Sequence, residues 1–296
     1  MKVDIEKIDA LKRKLIIEID SSEYSGQREK MYKEMGKNLK VPGFRKGNVP
    51  LDLLEKHHGK LLKEKFLEWA IPYYYEQALK DNNLTPVSMP GITEVKASAK
   101  KLTFNAEVEL KPEISPDEKA YKGIKIKDSK LEVKDSEWKK LWDSLKENTQ
   151  KAYGQDLDDE QIARWAGYAS VEDLHQAALI ELKSVKARQR RQEIENQVVQ
   201  HLLKKIKVEV PVKVAEEHTR KLVGQEMYNL RAKGVSDEDL KKNLKDLEEK
   251  CRPAAVDQVK LYYILEAIAA RENLKFDSQN IFERVMGYLL HLAEYK

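Results

Sequence analysis

Apolar and polar positions alternate in short runs at both ends of residues 1–112, and apolar positions recur every three or four residues almost everywhere else. Val3 to Ile8 and Lys12 to Ile19, separated by Asp9-Ala10-Leu11, read as a strand pair. The period then lengthens. Tyr24, Met31, Tyr32, Met35 and Leu39 predict a helix that runs to about Lys40, with serines ahead of it able to cap its start. After Pro50, Leu51, Leu54 and His58 predict a short helix that Gly59 ends, and Leu62, Phe66, Trp69, Tyr73 and Gln77 a second one, which Pro72 should kink near Ala70 or Ile71. Ile92 to Ala97 and Leu102 to Leu110 form a hairpin pattern whose second run alternates without a break. Strands at both ends with helices between them make residues 1–112 an α+β domain, with helices over one face of its sheet.

Pro112 and Pro116 open a lysine-rich, extended linker over 113–135, with an edge strand expected at Ile124 to Val133. Beyond it the pattern is helical to the end. Trp138, Leu141, Trp142 and Leu145 form one apolar stripe on a helix that Gly154 closes. Ser170 followed by Asp173 is a helix start, and no Gly or Pro interrupts the pattern from there to Ile206. At 1.5 Å per residue that helix is about 54 Å long. Its middle, Lys186 to Glu193, is polar apart from Ala187, which suits a helix that bridges packed regions or the stem of a projecting arm. Val208 to Pro211 break the pattern. Ala215 to Leu230 then form a helix that Gly234 ends, a Ser236-capped helix ends near Cys251, and Pro253 opens a strongly apolar helix through Ala269. Ile281 to Leu292 form the last one. The fold class expected is α+β, with an elongated all-α domain with helical arms at 136–296 after the N-terminal domain and linker.

Between the first two helices lies the most specific stretch, Val41-Pro42-Gly43-Phe44-Arg45-Lys46-Gly47-Asn48-Val49-Pro50. Glycines permit backbone angles closed to other residues, and the prolines fix φ, so a shaped loop is expected. No acidic residue occurs from Met35 to Leu51, whereas Lys37, Lys40, Arg45 and Lys46 are positive, so the loop should face an anionic partner. The whole chain is nearly balanced, with 55 basic against 51 acidic residues and a net charge of +4, which argues for local rather than general nucleic-acid contact. The single cysteine, Cys251, excludes an internal disulfide, the N-terminus lacks a signal-peptide pattern, and no apolar run reaches the roughly 20 residues of a membrane span. A cytoplasmic protein without membrane contact is expected.

Catalytic chemistry has little to build on. The six histidines include no His-Glu-x-x-His pair, and no phosphate loop or nucleophile elbow is present, so no catalytic residue, metal site or cofactor is expected. The run Lys183, Lys186, Arg188, Arg190 and Arg191 can be read as an RNA contact or as a solvated helical face. Apolar side chains of the helical half, notably Leu222, Met227, Tyr228, Leu230, Tyr262 and Met286, are candidates for an open, adaptable contact surface, against the alternative that they are core.

Gly43 to Pro50 resembles the ribosome-binding signature of the trigger factor family of bacterial nascent-chain chaperones. The likeness extends over the order of elements in residues 1–112 and over 156–292, notably Val208 to Pro211 and Arg252-Pro253-Ala254-Ala255. The resemblance implies that Gly43, Phe44, Arg45, Lys46 and Gly47 dock on ribosomal RNA and a ribosomal protein at the exit site, while the helical half holds unfolded or nascent polypeptides without ATP. A homodimer is compatible with it. Family members usually carry a prolyl isomerase domain of about 100 residues after the linker helix, but here Tyr153 is followed within a few residues by Asp156 to Glu160, so isomerase activity is expected to be absent. The chain also stops at Lys296, where the family usually continues. The competing reading is an RNA-binding or ribosome-assembly protein that holds no clients.

Overall fold

The computed structural model describes residues 1–45, 47–98, 101–128, 131–277 and 279–296. The chain packs as two compact units, one of Met1–Ile114 with Val208–Tyr263 and one of Ser115–Lys207 with Ile264–Lys296. These units differ from the contiguous divisions expected at 1–112, 113–135 and 136–296, because the helical half contributes to both.

In the first unit, β1 (Lys2–Lys7), β2 (Lys12–Ile19), β3 (Gly91–Ala97) and β4 (Leu102–Glu109) form an antiparallel sheet in the order β1-β2-β4-β3. The register pairs Leu15 with Ala106, Ile17 with Phe104 and Ile19 with Leu102, so the alternating apolar residues of both central strands share one buried face. Over that face lie α1 (Ser21–Gly36) and α2 (Leu51–Asp81). Leu62, Phe66, Ala70, Tyr74 and Ala78 are buried at strict four-residue spacing, one stripe of α2. Phe66 is the junction: Tyr24 and Tyr32 meet its ring edge to face at 5.4 and 6.2 Å.

Two expectations about residues 1–112 change. The backbone stays helical through Pro72, and the break falls instead at His58, at φ −130° and ψ 16°, where Gly59 was expected to end a short first helix. Pro72 is exposed, so the carbonyl that loses its donor can turn toward water. The hairpin is also not plain. Its register shifts between Thr93 and Lys96, where Glu94 has a φ of 53°.

The same unit holds α6 (Val212–Ala232), α7 (Asp237–Lys242) and the first part of α8 (Leu244–Arg271). The break expected near Cys251 is absent, and Pro253 lies inside α8 rather than at its start. Its ring is exposed, the same circumstance that Pro72 enjoys.

The second unit contains α3 (Asp135–Tyr153), closed by Gly154 at a φ of 69°, α4 (Asp159–Trp165), α5 (Val171–Lys205) and α9 (Ile281–His291). The Ser170 hydroxyl accepts from the Asp173 N–H, as the start signal implied. The expected edge strand at 124–133 shrinks to β5 (Lys125–Ile126), which pairs in parallel with β6 (Glu294–Tyr295); Ser129 and Lys130 lie outside the described residues. Gln197 of α5 pairs with both the N–H and the carbonyl of Lys127. Glu272 accepts from the hydroxyls of Tyr121 and Tyr288 and from Lys122, which together hold its carboxyl down at about 2. Burial and the same carboxylate push Tyr121 up to about 12.

Among the described residues no helix is long and apolar enough to cross a membrane.

Candidate functional site

The loop at 41–50 closes a helical hairpin. Gly43 and Gly47 take φ values of +83° and +86°, so both stand in the left-handed region that a side chain would strain. Between them the Phe44 N–H donates to the Val41 carbonyl at 3.2 Å and the Asn48 N–H donates to the Arg45 carbonyl at 3.1 Å. Two successive turns result. Val41 is 4% exposed and anchors the base, whereas Phe44 is 44% exposed. Arg45 and Lys40 are exposed, and among the described residues neither has a salt-bridge partner. Lys46 lies outside the described residues. Exposing a phenyl ring beside free cations is costly for folding and useful for contact.

What braces this loop was not legible in the pattern of the chain. At Gly36 a Cβ would sit 2.4 Å from Leu54 Cδ1, so the buried Leu54 side chain of α2 packs into the space that the missing Cβ leaves and would have to shift for any larger residue. His58, at the kink, bonds the Lys40 carbonyl at 2.9 Å, and Arg28 pairs with Glu55 at 2.9 Å while lying over the Tyr32 ring. A glycine in a helix is ambiguous in sequence alone, and only its neighbour on the other helix explains it.

The six apolar candidates of the helical half do not form one surface. Leu222 and Leu230 line a cleft of about 810 Å³ between α6, α7 and α8, together with Val235, Leu240, Leu247 and Cys251. Its rim is polar, with Glu226, Asn229, Asp246 and Lys250. Met227 is half-buried and does not line it; Tyr228, 73% exposed, lines a neighbouring surface hollow with Lys221 and Gly224. Tyr262 is 39% exposed and packs edge to face on Tyr263. Met286 must be set aside as an open contact residue: at 2% exposure it is core, on the inward face of α9 in the other unit. Val235, Leu240, Leu247 and Cys251 were not among the candidates: Val235 lies in the turn between α6 and α7, and the other three stand beside charged residues, where periodicity carries little signal.

Among the described residues, four of the five cations of the basic run, all but Lys183, stand in ion pairs. Lys186 pairs with Glu137 at 2.5 Å, Arg188 with Glu181 at 3.1 Å and Arg191 with Glu195 at 2.8 Å, while Arg190 grips Asp128 through two nitrogens. Lys186 in turn holds the Glu137 carboxyl below the usual carboxylate range. Such a run offers phosphates little unpaired charge. Among the described residues no three His, Cys, Asp or Glu side chains gather as a metal site.

Two family models match. That of the bacterial trigger factor protein covers residues 1–145, and that of the bacterial trigger factor protein C-terminus covers 170–288. Trigger factor of Natranaerobius thermophilus is 38% identical over 130 residues, 43% of this chain and 29% of the relative. Trigger factor of Geobacter sp. strain M21 is 34% identical over 137 residues, 46% and 31%. That of Clostridium botulinum strain Loch Maree is 32% identical over 155 residues, 52% and 36%. The chain thus spans about a third of the length of the curated relatives it matches. A solved structure of the trigger factor chaperone, described for promiscuous substrate recognition in folding and assembly activities, has a similar fold over 95% of this chain and 87% of that one, with a TM-score of 0.57 at 14% identity.

Proposed function

We propose, from the premise that the chain belongs to the trigger factor family, that it is an ATP-independent molecular chaperone. It docks on the ribosome near the exit tunnel through Gly43 to Gly47 and shields nascent or unfolded polypeptides in the cleft of α6, α7 and α8, working in the cytoplasm where ribosomes are. The observation that carries this reading is that the loop and the cleft belong to one compact unit, so one body can both dock and shield. The tip offers a ring for apolar contact and cations for ribosomal RNA phosphates and a ribosomal protein surface.

A weak, reversible grip on clients suits the cleft. Micromolar affinity is about 8 kcal/mol, equivalent to burying roughly 330 Å² of apolar surface before the entropy of association raises the requirement. Leu222, Leu230, Val235 and Leu247 supply that kind of surface without sequence-specific chemistry. Residues 146–169, between the two matched regions, hold the end of α3 and α4, which leaves no room for an isomerase domain of about 100 residues, so the chaperone works without prolyl isomerisation.

Ribosome co-sedimentation tests the docking half. Phe44→Ala/Arg45→Ala/Lys46→Ala should leave the ribosome pellet while its far-ultraviolet spectrum stays that of the wild type, and equal pelleting would sink the assignment. For the cleft, Leu222→Ser/Leu230→Ser should lose suppression of aggregation of a denatured protein yet keep ribosome binding. Undiminished suppression would remove the cleft from the mechanism.

A further inference from the structure

Helix α6 begins without a cap of its own. Pro211 stands at its N-cap with no side-chain bond, and no acidic residue occupies its first turn. By contrast α3, α5 and α7 each carry acidic residues there. An uncapped helix start leaves several N–H groups and a positive dipole end unanswered. The answer comes from the sheet, 104 residues away in sequence: Glu109, the last residue of β4, accepts the Lys213 N–H on Oε2 at 2.9 Å. Its side chain is 3% exposed, with Lys12 Nζ, its register partner on β2, 3.7 Å from Oε1. Lys213 adds a second link, donating from Nζ to the Met89 carbonyl at 3.0 Å. The Glu109 backbone is itself pinned, its carbonyl accepting from Val87 at 2.9 Å.

We infer that Glu109 is a positioning residue: a buried cap supplied by the docking domain that aims α6, and with it the Leu222 and Leu230 wall of the cleft, relative to the loop at 41–50. This inference rests on the proposed roles of the loop and the cleft, although the joint itself does not. Two features argue for aiming rather than plain stability. The partner charge on Lys12 is 39% exposed and can be hydrated when Glu109 is replaced, so the main loss in a Glu109 variant is the bond to the start of α6 rather than a buried ion pair. Beside it, moreover, a cavity of about 280 Å³ lined by Asp9 to Lys12 and Glu209 to Val212 leaves the start of α6 room to shift once the bond is lost. Leverage makes such a shift matter, because a 21-residue helix is about 32 Å long and a swivel of about 10° at its start moves its far end by about 5 Å.

The test uses the full chain with Cys251→Ser, spin labels at Lys63→Cys on α2 and Asn229→Cys on α6, and pulsed electron spin resonance for the label distance. With Glu109 present one narrow distribution is expected. Glu109→Met should shift or broaden it by several Å, and amide exchange in the first turn of α6 should speed up at least tenfold. Protection of the β2 and β4 amides should persist in the same variant. Should Glu109→Met fail to fold, Glu109→Gln, which keeps the shape and one acceptor, carries the same test with a smaller shift. Wild-type distances and exchange in the folded variants would overturn the inference, and so would losses that appear only together with loss of sheet protection. Both readouts are made on the free protein, so a failed ribosome or client assignment leaves them unmoved.

Discussion

Substituting Gly36 by alanine sets two effects of known size against each other at the base of the loop. Alanine in a helix is favoured over glycine by about 1 kcal/mol, and a surface glycine replaced in this way would stabilise the chain. Gly36 is buried, and the added Cβ would lie 2.4 Å from Leu54 Cδ1, a side chain that is itself only 3% exposed. Overpacking of this kind costs about 1–3 kcal/mol, because Leu54 must leave its rotamer or α1 must move away from α2. The steric cost wins, and Gly36→Ala should destabilise the hairpin by about 1 kcal/mol net. Since the chain packs as two units, a global melting curve would blend two transitions. Native-state amide exchange over residues 21–36 and 51–66 reads the hairpin alone, and a loss of 1 kcal/mol appears there as roughly fivefold faster exchange through opening. A double-mutant cycle isolates the contact. Leu54→Ala alone should cost about 2–5 kcal/mol, and Gly36→Ala/Leu54→Ala should be more stable than the sum of the single losses by about 1–2 kcal/mol. Slower exchange in Gly36→Ala, or strict additivity in the cycle, would refute the close approach.

Glu272 has a folded-state carboxyl depressed from 4.5 to about 2 by Tyr121, Tyr288 and Lys122, so its contribution to stability is complete above about 4.5 and is lost as pH falls toward 2. Glu272→Gln should therefore unfold at lower urea than the wild type at pH 7, with the gap narrowing steadily below pH 4.5; a gap independent of pH would contradict the ion-network account. Tyr74 is fully buried with no partner for its hydroxyl among the described residues, and Tyr74→Phe should raise stability by about 1 kcal/mol in urea titration, whereas a clear loss would mean that the hydroxyl is bonded. Ribosome association through Lys40, Arg45 and Lys46 alone should fall with salt at a log-log slope of about −2 to −3, and a slope near −6 would show that the basic run of α5 takes part despite its carboxylate partners.

Much of the fold follows from local chemistry and was open to reading along the chain. Alternation at Leu102 to Leu110 makes a half-buried strand wherever a partner lies beside it, Ser170 and Ser236 cap helices through their own hydroxyls, and the glycines at 43 and 47 permit the positive φ angles that the loop needs. These signals act over a few residues, so no knowledge of the rest of the molecule is required. Other features depend on which distant residue arrives nearby, and periodicity cannot say. The helices continue through Pro72 and Pro253, whose rings meet water. Met286 faces inward, and the cations of α5 lie within reach of Glu137, Asp128 and Glu195. The start of α6 shows the difference most clearly: its sequence, Pro-Val-Lys, announces a helix with no cap, and only the folded sheet brings Glu109 within 2.9 Å to provide one. A local motif specifies an element, whereas the pairing of buried polar groups and the fit of side chains between elements are settled by the tertiary packing that removes them from water.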